Sequence, residues 1–592
     1  MAETRRRRQV AIIWLCALGV MVGCVAGIGA VLFRALISFI HNLFFNGTLS
    51  TYFDANVLTP PSPFGPLIIL APVIGGMGVV FLVKHFAPEA RGHGVPEIMD
   101  AIYYKEGHIR PMVAATKSLA SALAIGSGAS VGREGPIAQI GASFGSTVGL
   151  LTGLIAWQRI TLVAAGAGAG IAATFNTPLG GVLFAIELLM PEVSPRTFLP
   201  VVLATGTATY IGRFAFGLSP AFAVPVAIDI QVGSSTVETV LAVVVLGLLC
   251  GLASWAFIRT LAWLEDLFPS LPGNDYSRHA IGMLLLGLMM YGLMLTTGHY
   301  HVDGVGYGTI QAILQGQLVS TGLLTLLFVA KLLATSLTLG SGSSGGIFSP
   351  SLFIGATLGG AFGSLLLLIW PEFQFHPSDF AMVAMGGVVA GATGATMTAI
   401  IMMFEMTRDY HIVLPLIITV AISVGVRRML SDENIYTIKL AGRGHSVPKE
   451  RHSNMYLVRH AGDVMDKNVV VVPADTPVTA AKTALEEEGK VMVLERRGRI
   501  AGVVHPADLA AAEEDLGAPP EPILEDIAER RILIAREDEI LHNILTRMAR
   551  RRSDTILVVA KGHRIPRAAD VRGILGCEQI GACILEHYVR SS

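Results

Sequence analysis

Three short segments combine residue types that could hold a small anion: Gly92-His93-Gly94-Val95-Pro96, Gly132-Arg133-Glu134-Gly135-Pro136 and Gly345-Gly346-Ile347-Phe348-Ser349-Pro350. In each, glycine precedes a proline that suits the first turn of a helix. A helix N-terminus carries about half a unit of positive charge and free N–H donors, and glycine lets an anion touch the backbone there. Such an end attracts an anion without trapping it, as a buried full cation would. Glu134 stands apart from the other residues of these segments. A carboxylate at a helix start could take the anion's own place, and protonation would cancel its charge and release it. The plainer role for an acid at that position is a cap. An ionisable residue at membrane depth points to function, so Glu134 is read as a gate.

The elements that must position these segments belong to a membrane protein. Of 592 residues, 52% are hydrophobic and 15% charged, against about 25% charged in a soluble domain. Apolar stretches long enough to span occur at 238–260, 281–297 and 321–339. Shorter ones, around 92–98, 126–136 and 342–350, are broken by Gly or Pro, which membranes tolerate where the chain lines a cavity. Arg5 to Arg8 precede an apolar run from Val10 to Phe33. That run is too long for a signal peptide, so a first transmembrane helix is expected, with the arginines in the cytoplasm. The net charge of −1 gives no nucleic-acid signal. Cys16, Cys24, Cys250, Cys577 and Cys583 show no disulfide or zinc framework. No nucleophile–base pair, metal cluster or phosphate-binding lysine loop stands out. An enzyme is not expected, and neither a metal nor a required cofactor.

The membrane part repeats itself. Shifted by 214 positions, Gly126–Pro136 falls on Gly340–Pro350, with further identities at Gly141/Gly355, Ala142/Ala356, Gly145/Gly359 and Gly149/Gly363. Lys117 falls on Lys331, Gly92 and Gly94 fall on Gly304 and Gly306 after a small gap, and Glu187 lies over Glu405. The mate of Glu134 is Phe348, so only one copy carries the carboxylate. The halves run over about 1–215 and 216–445 of a membrane domain at 1–445. The order alone leaves open whether they are parallel or inverted. Beyond it the composition turns soluble. Val469–Val472, a helix at 477–488, Val491–Leu494 and Gly502–Asp508 are followed by a second set: Ile532–Ile534, a helix at 539–551, Thr555–Val559 and Gly573–Leu575. This predicts two compact α/β units, at 456–515 and 522–592.

On these motifs the chain resembles the CLC family of chloride channels and chloride/proton antiporters, and its tail resembles the paired CBS domains of many members. Gly132–Pro136 matches the family's GREGP, whose glutamate is the external gate. Gly345–Pro350 matches GGIFxP, whose isoleucine and phenylalanine amides contact the central anion, and Tyr436 matches the tyrosine whose hydroxyl does the same. The resemblance implies an all-α polytopic membrane domain of two inverted repeats with broken re-entrant helices, followed by a cytoplasmic α/β CBS pair. It implies a homodimer in the inner (plasma) membrane, with one pore per subunit and both termini cytoplasmic. The anion-binding set is then His93, Gly132, Gly346, Ile347, Phe348 and Tyr436.

Two departures bear on function. His93 stands where the family's GSGIP has an anion-contacting serine, and histidine titrates near neutral pH. It either faces the pore or turns away from it. Leu188 stands where antiporters commonly carry an inner glutamate, and leucine cannot relay a proton. The sequence therefore leans to a channel-like chloride pathway gated by Glu134, with a chloride/proton antiporter as the alternative. Glu187 is expected to be structural, with an inner proton site as its other reading. Pro136 and Tyr436 argue against a fluoride exporter. In the tail, Asp508 sits where CBS pairs hold a ribose, while the second unit has Gln579 there. An adenine nucleotide is the ligand this suggests, and a membrane-tethered nucleotide sensor is the reading from a different class. A purely bracing tail is the bland one.

Overall fold

The computed structural model describes residues 10–224, 237–371, 376–445, 447, 455–481, 491–506, 508–509, 522–530, 532–551, 553–561 and 566–591. Arg5–Arg8 and most of the helix expected at 477–488 lie outside them. The chain divides into two units, Met1–Val447 and Pro448–Ser592.

The first unit is helical. Its first eight helices are α1 (Ile12–His41), α2 (Ala71–His85), α3 (Val95–Tyr104), α4 (Pro111–Gly126), α5 (Glu134–Leu151), α6 (Ala156–Phe175), α7 (Pro178–Phe184) and α8 (Pro195–Phe216). The next eight repeat them: α9 (Val237–Ser270), α10 (Asp275–Thr297), α11 (Tyr307–Leu314), α12 (Thr321–Gly340), α13 (Phe348–Ile369), α14 (Pro377–Thr393), α15 (Thr396–Thr407) and α16 (Val413–Leu430). A short α17 (Thr437–Gly442) closes the unit. Among the described residues seven helical segments are long and apolar enough to cross a membrane. Others, such as α6 and α14, are buried on nearly every face, as helices apolar all round must be.

The glycines matched between the halves do the same job in each. A Cβ on Gly145 of α5 would stand 2.1 Å from the Leu162 carbonyl oxygen of α6, and one on Gly359 of α13 would stand 2.2 Å from that of Phe380 in α14. Only a missing side chain lets these helix backbones touch, the close-packing device of membrane helices.

Among the described residues the second unit holds two three-stranded sheets. β1 (Val469–Pro473) runs parallel to β2 (Val491–Arg496), which pairs antiparallel with β3 (Arg499–Val504). β4 (Leu533–Arg536), β5 (Thr555–Val559) and β6 (Val571–Gly576) repeat that order. Val493 and Val503 of one sheet share a core with Leu557 and Ile574 of the other, so the two halves of the tail bury each other's apolar face.

Candidate anion pathway

Helices α3, α5, α11 and α13 begin around one locus, and the loops before them interlock. The Gly132 N–H donates to the Gly346 carbonyl at 2.7 Å, and the Gly346 N–H donates back to Gly132 at 2.6 Å. These two residues are repeat mates, so a local two-fold passes between them. Gly92 is laced to the same region by its N–H to Ser343 O and its carbonyl to Gly345 N. At Gly135 a Cβ would lie 2.2 Å from the His93 carbonyl oxygen and 3.1 Å from Gly346 Cα, so the motif has no room for a side chain.

Loop carbonyls at membrane depth need donors. Two fully buried lysines supply them. Lys117 Nζ donates to the carbonyls of Ala90 (2.9 Å) and Gly92 (2.7 Å), and its mate Lys331 donates to Val302 (3.1 Å) and Gly304 (3.0 Å). Each lysine pins the glycine loop that starts α3 or α11.

Glu134, 1% exposed, lies at the centre. Its Oε1 accepts from Tyr307 Oη and Ser349 Oγ, each at 2.5 Å, and Oε2 accepts from the Ser349 backbone N–H at 3.3 Å. Ser349 is in the first turn of α13, where N–H groups have no partner within the helix. The carboxylate therefore rests where an anion would rest. The Arg133 guanidinium lies 5.2 Å from the Tyr307 ring centroid, beside a cleft lined by Arg34, Arg133, His301, Asp303 and Tyr307. Sequence reasoning did not single out Tyr307. Its signal was available: it is the repeat mate of Val95, a hydroxyl at the first position of a helix behind Gly306, whose φ is 78°.

Ile347 and Phe348 form the cap and first position of α13, and Gly132 and Gly346 face the carboxylate's surroundings through the paired loops. Tyr436, 2% exposed, caps α17, and its ring centroid is 6.3 Å from that of His93. His93 is 1% exposed and is turned toward Tyr436 and Glu265 of α9.

Leu188 is buried in a π-helical turn, Ala185–Leu189, that extends α7. The neighbouring Glu187 caps α15. Its Oε1 accepts from Thr396 Oγ1 and Met397 N, and its Oε2 from Thr398 N and Oγ1, all between 2.7 and 3.0 Å. Its mate Glu405 accepts from Leu179 and Gly180 at the start of α7. Each repeat thus caps a helix of the other. In the tail, Asp508 Oδ2 accepts from His505 N and Gln579 Oε1 from Gly576 N, each at 2.9 Å, so the paired positions make the same local cap.

The voltage-gated chloride channel family matches residues 75–428, and the CBS domain matches residues 461–515. The chain belongs to the CLC family. It is 31% identical over 430 residues to the H(+)/Cl(−) exchange transporter ClcA of Citrobacter koseri, covering 71% of this chain and 87% of that protein. A slow cyanobacterial Cl−/H+ antiporter shares its fold with a TM-score of 0.61 and 26% identity, over 74% of this chain and 99% of that one. A eukaryotic CLC transporter matches at a TM-score of 0.59 and 19% identity, over 95% of this chain and 98% of that one, a likeness of fold that takes in the tail. As a CLC protein the chain is an integral membrane transporter of anions, built on two inverted repeats with a C-terminal CBS region.

Proposed function

We propose that this CLC protein exchanges chloride for protons through one pathway in each subunit of a homodimer, with Glu134 as the gate. The observation that carries the reading is the seat of Glu134. Its carboxylate takes three hydrogen bonds from Tyr307 and Ser349 at the start of α13. A seated carboxylate and a bound chloride compete for the same donors. Protonation removes the charge, the side chain leaves, and chloride takes the vacated donors. The amides of Ile347 and Phe348, with the Tyr436 hydroxyl, hold the next anion along the path, and His93 lies beside it. The same carboxyl that yields to chloride thereby carries a proton. Transmembrane voltage biases any step that moves charge, by about 2.3 kcal/mol per full charge per 100 mV.

Leu188 leans toward uncoupled permeation. The names of the relatives weigh the other way: proteins about one-third identical across most of this chain are exchangers. The exchanger reading therefore displaces the channel. An inner (plasma) membrane location with cytoplasmic termini is part of the proposal, because the arginine-rich start favours that side. For the tail we infer an adenine-nucleotide site at Asp508. ATP or AMP titration of the whole protein, read as a change in chloride flux or melting temperature, tests it, and no response leaves the tail as a brace.

The decisive experiment measures chloride efflux and proton uptake together in liposomes. An exchanger drives protons against their gradient when chloride runs down its own. A channel moves chloride alone. In Glu134→Gln, proton movement should vanish and chloride flux should lose its dependence on pH. A retained pH profile in that variant would remove Glu134 from the gate.

A further inference from the structure

We propose that Glu265 and His93 form the proton-accepting site at the end of the pathway opposite Glu134. The proposal rests on the exchange reading. A proton bound for Glu134 has to pass the anion site from the far side, and ionisable groups are the usual carriers of such a relay. Leu188 supplies none.

Glu265 lies toward the C-terminal end of α9, a helix long and apolar enough to span. Its side chain is 24% exposed, so water reaches it, while the His93 side chain is 1% exposed. Glu265 Oε1 stands 3.7 Å from His93 Nε2 and 3.7 Å from Lys439 Nζ. Both are ion-pair distances, beyond hydrogen-bonding reach. Neither ring nitrogen of His93 has a hydrogen-bond partner among the described residues. A histidine kept for structure alone would have its buried nitrogens paired. This one is held in reserve between a water-accessible carboxylate and the anion path. On its far side, its ring adjoins Tyr436 and its own carbonyl packs on Gly135, the residue next to Glu134.

The charges around the pair favour arrival of an anion with the proton. Lys117, Lys439 and Arg91 face His93 or Glu265, and Arg443 adds a fourth cation nearby. Of these, Arg443 is already paired with Glu97 at 2.5 Å, and Asp100 is held by Lys105 and His445. With His93 neutral, Glu265 and Lys439 cancel. A proton on either member of the pair adds one positive charge beside the anion path. The transfer balances simply: Glu265 takes a proton from hydronium in the adjoining water, the side chain closes its 3.7 Å gap to His93 Nε2 and passes the proton there, the Nδ1 proton leaves toward the Glu134 carboxylate, and a flip of the ring restores the starting tautomer.

The test is the ratio of proton to chloride flux in liposomes for the full-length protein. Glu265→Gln should lower that ratio at least tenfold while chloride still crosses, and His93→Gln should lower it as far. Glu265→Asp, which keeps a carboxylate, should recover most of it. A wild-type ratio in Glu265→Gln overturns the proposal and leaves exchange standing. No proton movement in the wild-type protein overturns both. Should Glu265→Gln fail to fold, Glu265→Asp and His93→Gln decide. A low ratio in His93→Gln with a near-normal one in Glu265→Asp supports the pair, and any other combination refutes it.

Discussion

Tyr307→Phe removes one oxygen from the gate and little else. The ring stays held by the edge of Phe222 at 5.3 Å, by Phe175 at 6.3 Å and by Arg133 over its face. What goes is the hydroxyl that donates to Glu134 Oε1 at 2.5 Å. A hydrogen bond to a charged group contributes about 1.5–3 kcal/mol, and a low-dielectric site puts this one toward the top of that range. Ser349 still donates twice, so the carboxylate keeps its seat but holds it less firmly. The lost bond favoured the charged, seated form. Acid should therefore open the pathway more easily, and at 1.36 kcal/mol per pH unit the midpoint of activation should rise by about one to two units. Initial chloride efflux from liposomes, measured across external pH, reads this directly, with Glu134→Gln as the flat control. A midpoint within about 0.3 unit of wild type, worth about 0.4 kcal/mol, or one displaced downward, would show that Tyr307 does not latch the gate.

Other substitutions test the frame. Gly135→Ala must push a Cβ into the His93 carbonyl, so the paired loops should open and the protein lose on the order of 3 kcal/mol or fail to assemble, as seen by melting in detergent. Lys117→Met and Lys331→Met each strip two buried carbonyls of their donor, at about 1–3 kcal/mol per group. The two should lower the melting temperature by similar amounts, and a loss in only one would contradict their equivalence. Asp508→Ala removes a cap worth about 1 kcal/mol, measurable as a lower chemical-denaturation midpoint of the tail's transition in the full chain.

Much of this arrangement was legible because the chain carries it twice. The offset that laid Gly132 on Gly346 already paired residues that now exchange hydrogen bonds, and it paired two lysines that now do the same work. Three Gly-Pro segments were legible as helix starts because glycine and proline act locally. Tyr307 and Glu265 were not, because each acts on a residue far away in sequence, 173 positions in the case of Tyr307 and Glu134. The apolar stretch at 238–260 announced a span, but α9 runs on to Ser270, and Glu265 sits in that unannounced end. Glu187 was ambiguous for a related reason. Its four donors belong to α15 of the other repeat, and nothing near Glu187 in the chain specifies them.

The two-fold frame also accounts for why only one of the two mated helix starts holds a carboxylate. Glu134 belongs to the first repeat, and all three of its hydrogen bonds come from the second, from Tyr307 and Ser349. Their mates in the first repeat are Val95 and Gly135, which carry no side-chain donor, and the mate of Glu134 is Phe348, which carries no charge. A duplicated backbone alone would give two equivalent helix starts and no means of telling a closed site from an open one. Placing the acceptor on one copy and the donors on the other makes a single lock at the centre of a symmetric cradle. The proposed proton pair follows the same division, with His93 in the first repeat and Glu265 in the second. Chemistry in this protein is therefore concentrated where mates differ, and stability where they agree. That rule predicts that exchanging the mates, Glu134→Phe together with Phe348→Glu, abolishes the pH dependence of chloride efflux, because the positions that mirror Tyr307 and Ser349 are Val95 and Gly135, which offer the moved carboxylate no hydroxyl.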